Sequence, residues 1–172
     1  MNHDSYSEAY IRDILTSCKV FAMVGASANQ VRPSYFVLKY LLAKGYEVIP
    51  VNPGLAGKTI AGQLVHASLR DIGRPVDVVD IFRNSEAALA VTREAIEIGA
   101  KVVWMQLGVR NDEAARLAEA AGLKVVMNRC PKIEYGRLSG EIGWAGVHTR
   151  TLSSRRAVLG AGGFQKLSIG KG

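Results

Sequence analysis

An apolar run, Val20-Phe21-Ala22-Met23-Val24, ends in Gly25-Ala26-Ser27, and Asn29-Gln30-Val31-Arg32-Pro33-Ser34-Tyr35 follows before the next apolar segment. A strand ending in small residues lets backbone N–H groups approach a ligand closely. A helix opening at Pro33 or Ser34 turns its positive end toward the same point, and Arg32 adds a full charge. This is the chemistry of phosphate binding, although a tight turn with a solvated Arg32 uses the same residues. The turn is not a full dinucleotide fingerprint. The next strand ends in Val51-Asn52-Pro53, without the carboxylate that holds ribose hydroxyls in NAD-binding domains. An uncharged Asn52 tolerates a ribose that carries a phosphate, and Lys58 in the adjoining loop would neutralise it. Asn-Pro also starts ordinary turns.

Two further segments end in residues suited to a ligand. Phe82-Arg83-Asn84-Ser85 offers an aromatic face and a cation near a helix start, or a core phenylalanine. Gln106-Leu107-Gly108-Val109 would border the crevice from the other side, with Gly108 either admitting a ligand or shaping the turn. Cys130 stands between Arg129 and Lys132, charges that lower a thiol pKa. Neither His66 nor His148 has a spacing that makes it the partner base, so a packed cysteine is the favoured reading.

These residues need a frame that brings strand ends together. The sequence predicts a leading helix over 6–18, capped by Ser7, that packs on the edge of a main domain. Strands follow at 20–25, 46–51, 77–82, 101–106 and 123–127, with helices at 34–43, 85–98 and 111–120. The strands are β-branched runs of the kind covered on both faces. Gly45, Gly99 and Gly122 mark helix ends, while Ser85 and Asn111 read as caps. Residues 54–63 read as a glycine-rich loop, with a short helix around 66–70. The pattern breaks up after 128. The fold class is therefore α/β, a Rossmann-like doubly wound parallel sheet of about five strands in a single domain. Its parts are a leading helix in 1–19, the main domain in 20–138, and an irregular, basic, Gly-rich tail in 139–172.

The 172 residues, 48% of them apolar, suffice for one core of ordinary size. The net charge of +7 suggests nucleic acid until it is divided along the chain. Five of the 22 basic residues, Arg150, Arg155, Arg156, Lys166 and Lys171, follow Glu141, the last of the 15 acidic ones. Two cysteines without metal-ligand spacing suit a reducing compartment. No apolar run reaches membrane-spanning length, and Met1-Asn2-His3-Asp4 lacks a secretory pattern, so a cytoplasmic location is expected.

Taken in order, the segments already quoted, together with Gly45-Tyr46-Glu47-Val48-Ile49-Pro50-Val51-Asn52-Pro53, Asp77-Val78-Val79-Asp80-Ile81-Phe82-Arg83 and Cys130-Pro131-Lys132-Ile133-Glu134, resemble the small stand-alone CoA-binding domain proteins. Their fold is similar to the N-terminal CoA-binding domain of the succinyl-CoA synthetase α subunit, and the resemblance covers about residues 7–138. It implies coenzyme A or a short acyl-CoA as ligand, with Gly25, Ala26, Ser27, Arg32, Pro33 and Ser34 at the diphosphate. Asn52 and Pro53 would lie by the adenosine, and Phe82, Arg83, Gln106 and Gly108 along the rest of the crevice. Relatives often carry a basic residue directly after the Asn-Pro, a candidate for the 3′-phosphate. Here Gly54 stands there, and Lys58 is the substitute. The synthetase's catalytic histidine belongs to a second domain, so the resemblance implies binding without catalysis, as carrier, sensor or partner of an acyl-CoA enzyme. A homodimer is compatible with it.

Two alternatives stand beside this. An NADP-dependent reductase would use Asn52 and Lys58 for the 2′-phosphate and need a proton donor such as Tyr35. A nucleic-acid-binding module would rely on the basic tail, which has little interleaved aromatic character.

Overall fold

The computed structural model describes residues 1–141 together with Ser168 and Ile169. The basic tail expected after 139 thus lies almost wholly outside the described residues. Five parallel strands, β1 (Val20–Val24), β2 (Glu47–Val51), β5 (Val78–Ile81), β6 (Val102–Met105) and β7 (Lys124–Val126), form one sheet in the order β2-β1-β5-β6-β7. The short strands β3 (Thr59–Ile60) and β4 (Gln63–Leu64) pair antiparallel.

Strand alternation divides the core into two layers. Phe21, Met23, Val78 and Trp104 face one side, where α1 (Glu8–Ser17), α2 (Pro33–Ala43) and α5 (Pro131–Leu138) cover them. Ala22, Val79, Ile81, Val103 and Met105 face the other, under α3 (Ser85–Glu97) and α4 (Asp112–Ala120). The alanines Ala88, Ala95, Ala114, Ala115 and Ala118 are buried there, which lets those two helices lie close to the sheet. Strand order reverses between β1 and β5, and this switch point opens a crevice at the carboxyl ends of the strands.

Both outer strands are protected against pairing with other chains. On β2, Pro50 offers no N–H, its carbonyl accepts from the His66 N–H at 3.0 Å, and Val51 bridges to His66. On β7, two tyrosines of the N-terminal segment take the place of a neighbouring strand. The Tyr10 hydroxyl accepts from the Val125 N–H at 3.0 Å and donates to the Val125 carbonyl at 3.1 Å. The Tyr6 hydroxyl accepts from the Met127 N–H at 2.7 Å, and its ring stacks on Tyr10.

The structure departs from the sequence reading in four places. Residues 59–64 form a hairpin rather than loop, because Ala61 and Gly62 both take positive φ, as a two-residue turn requires. The helix expected at 66–70 is a single 3-10 turn at Arg70–Ile72. Residues 131–138 form α5, opened by Pro131 and hidden by a weak apolar period. The cap of α3 is Asn84, whose side chain accepts from the Ala87 N–H; Ser85 is already the first helical residue.

Candidate functional site

Gly25 stands where β1 meets the crevice. Its φ is +88°, and a Cβ there would lie 3.0 Å from the Phe82 carbonyl oxygen and 3.1 Å from the Arg83 side chain. Only glycine lets the loops leaving β1 and β5 approach this closely. The next residues are held from within. The Ser27 N–H donates to the buried Ser34 hydroxyl at 3.2 Å, and the Asn52 amide donates to the Ala26 carbonyl at 2.9 Å. The Asn52 side-chain oxygen accepts from the Gly54 N–H at 2.9 Å, so this one residue ties the turn after β2 to the turn after β1. Arg32 caps α2 and Pro33 begins it, which points that helix's positive end toward the same loop.

A cleft of about 260 Å³ lies on the α3 side of these turns. Gly25, Asn52, Pro53 and Arg83 line it, so the structure brings together four of the residues singled out from the sequence. Leu69, Ala87, Ala90 and Val91 form its apolar walls, and Glu94 lies further along α3. These wall residues escaped the sequence reading. The small residues of Ser85-Glu86-Ala87-Ala88-Leu89-Ala90 were the available sign, since they leave room beside a helix.

The remaining candidates lie elsewhere. Lys58 is exposed in the connection leading to β3 and does not line the cleft. Phe82 is half-buried against the α2 and α5 layer. Gln106 is buried, and its amide donates to both carboxyl oxygens of Asp80, at 2.9 and 3.1 Å. Burial pushes the Asp80 carboxyl up to about 8, with the Gln106 hydrogen bond acting in the opposite direction. Gly108 has φ +79° and open space around it. Its N–H donates to the Asn128 side chain at 2.8 Å, so its role is the turn rather than close approach.

Two charge readings are corrected. Burial pushes the Cys130 thiol up, and the basic neighbours do not reverse it. Arg129 is paired with Glu134. The sequence reading counted no Tyr-x-x-x-Lys pair of the kind a reductase uses, but Tyr35 and Lys39 have that spacing. The Lys39 ammonium lies 5.9 Å from the Tyr35 ring centroid, over its face.

Arg70, Arg74, Lys101, Arg110 and Lys124 are each matched by a carboxylate. Arg32, at the start of α2, and Arg83, in the cleft, have no ion pair among the described residues, as is also true of Lys19, Lys39, Lys58, Arg93, Arg116 and Lys132. The glycine cradle, the helix end and two unmatched cations fit a phosphate-bearing nucleotide.

The chain matches the CoA binding domain family over residues 19–136 and belongs to that family. It is 38% identical over 129 residues to the uncharacterized protein YneT of Bacillus subtilis, covering 75% of this chain and 94% of that one. A hypothetical protein from Pyrococcus horikoshii is 40% identical with a TM-score of 0.75, over 80% of this chain and 96% of that one. At the level of fold alone, the chain is similar to part of the dinucleotide-forming acetyl-coenzyme A synthetase 1 of Candidatus Korarchaeum cryptofilum. That likeness has 23% identity and a TM-score of 0.58, and covers 68% of this chain and 28% of the synthetase. Among the described residues no helix is long and apolar enough to cross a membrane, and no cluster is suited to a metal ion.

Proposed function

We propose that the crevice binds coenzyme A, as free CoA or an acyl-CoA, with its diphosphate at the switch point. The observation that carries this is the glycine cradle at Gly25, pressed against Phe82 and Arg83, in a cleft that Asn52, Pro53 and Arg83 line, with the start of α2 tied to the same turn through the Ser27 N–H to Ser34 hydrogen bond. Family membership supports the same ligand. The adenosine enters the cleft between Asn52-Pro53 and α3, where Ala87, Ala90 and Val91 offer a flat apolar wall and Glu94 accepts from the adenine amino group. Asn52 acts by holding two turns in place. The bound molecule is carried, sensed or presented to an acyl-CoA enzyme in the cytoplasm, without chemistry by this chain.

Calorimetry on ligand-stripped protein tests this with CoA, 3′-dephospho-CoA and NADPH in parallel. CoA binds, and Arg32→Ala and Arg83→Ala each weaken it about tenfold or more, the value of a charge-assisted hydrogen bond. No heat with CoA, or equal binding of NADPH, overturns the assignment.

A further inference from the structure

Among the described residues that line the cleft, only Arg83 and Glu94 are charged, and they stand well apart. Arg83 lies against Gly25, where a Cβ on that glycine would meet its side chain at 3.1 Å. Glu94 is about 14 Å along α3 from Ser85, the first residue of that helix, at about 1.5 Å rise per residue. A second carboxylate lies behind the cleft wall: Asp71 accepts from the Ser68 N–H at 2.9 Å and from the Ser68 hydroxyl at 2.7 Å, and Ser68 lines the cleft. Arg70 lies in the field of both acids, yet its guanidinium is engaged by Glu97, 2.7 Å from Nε and 2.6 Å from Nη2. The cleft is thus positive beside the Gly25 cradle and negative beyond it.

Between these ends stands the turn after β2, and its donors are already given away. The Asn52 N–H donates to the His66 carbonyl at 2.9 Å, and the Gly54 N–H to the Asn52 side-chain oxygen at 2.9 Å. The Leu55 N–H donates to the Asn52 carbonyl at 3.1 Å, the Gly57 N–H to the Val65 carbonyl at 2.9 Å, and the Lys58 N–H to the Leu55 carbonyl at 3.0 Å. Pro53 has no N–H. Over residues 52–58 this leaves one backbone donor, on Ala56, and one cation, Lys58, which is exposed and does not line the cleft. A ribose hydroxyl needs no more than one partner. A phosphate monoester brings three acceptor oxygens and up to about two negative charges, and finds neither the donors nor the countercharge here.

We infer that the site takes an adenosine 5′-diphosphate ester whose ribose carries no phosphate, with 3′-dephospho-CoA as the pantetheine-bearing member of that class; the inference rests on the placement of the adenosine in the CoA reading above. With the diphosphate at Gly25 and the adenine toward Glu94, the ribose lies against Asn52 and Pro53. A 3′-phosphate on it faces a turn without free charge and the field of Glu94 and Asp71. It adds nothing to binding.

The test titrates CoA and 3′-dephospho-CoA into ligand-stripped wild type, Gly54→Lys and Lys58→Ala by calorimetry, with circular dichroism confirming that the variants fold. Gly54 has room for a side chain, since a Cβ there would meet only the Asn52 side-chain oxygen, at 3.4 Å. The wild type binds 3′-dephospho-CoA at least as tightly as CoA, and Lys58→Ala leaves that order unchanged. Gly54→Lys supplies the missing cation and creates a preference for CoA of about tenfold or more, the value of a charge-assisted hydrogen bond. A wild type that prefers CoA overturns the inference and leaves the CoA reading standing. So does a loss of affinity for CoA alone in Lys58→Ala, which would give the 3′-phosphate to that lysine, or a Gly54→Lys variant that gains no preference, which would move the ribose from this turn. Binding of 3′-dephospho-CoA alone upholds the inference and removes CoA as the ligand. No heat with either compound defeats the underlying reading instead.

Discussion

At the scale of single residues, Gly25 and Asp80 make opposite demands on the chain. Gly25→Ala puts a Cβ against the Phe82 carbonyl at positive φ, which costs about 2 kcal/mol and spreads the two loops that meet at the crevice. Urea unfolding shows the lost stability, and calorimetry a loss of CoA binding larger than that of either arginine variant. Asp80 responds to pH. Its carboxyl titrates near 8 in the folded protein and near 3.9 in an unfolded chain, so folding takes up a proton between those values. Its contribution to stability is therefore greatest below about pH 4, declines as pH rises toward 8, and is level above that. Asp80→Asn removes this decline and is the more stable protein at pH 8. Urea midpoints from pH 5 to 8.5 for both proteins check the sign. Unchanged pH slopes would mean that Asp80 ionises freely in the fold.

At the scale of elements, the hydroxyls of Tyr6 and Tyr10 are the ones to remove. Tyr6→Phe leaves the Met127 N–H unsatisfied, and Tyr10→Phe strands both backbone groups of Val125, each at a cost of about 1–3 kcal/mol. The double variant presents an open strand edge, and sedimentation velocity shows it self-associating where the wild type does not gain in mass. The parallel strands were legible because β-branched runs ended by Gly or Pro have few other uses, and the helices between them carried clear periods and caps. The β3–β4 hairpin was not, since nothing in Ala61-Gly62 compels positive φ at the alanine. Nor was α5, whose buried face includes Pro131, Glu134 and Gly136 rather than an apolar stripe. The candidate site was legible where backbone geometry makes it, at Gly25, Asn52 and Arg83. It was less legible where a side chain turns inward. Gln106 seeks a partner across the sheet, and alternation along Val78-Val79-Asp80-Ile81 was the sign that an acid lay buried beside it.

At the scale of the whole molecule, the net charge of +7 belongs mainly to residues outside the crevice, while the ligand reading draws on Arg83 in the cleft and Arg32 at the start of α2. Deleting residues 150–172 removes five cations and none of the residues named here for the crevice. Retention on a heparin column drops, and the thermal shift with CoA persists, worth about 2.7 kcal/mol at a hundred times Kd. Loss of that shift would assign the tail a part in binding.

The hydroxyl caps on β7 also bear on how the protein is made. Tyr6 and Tyr10 leave the ribosome early, yet their partners Val125 and Met127 are more than a hundred residues away. Until β7 is synthesised, the N-terminal segment has no strand to cover, and β6 is a bare edge in the nascent chain. Contacts of such long sequence separation form late and slowly. The interval before the two ends meet is therefore when this chain is most exposed to pairing with its neighbours, and when a chaperone would do most for it.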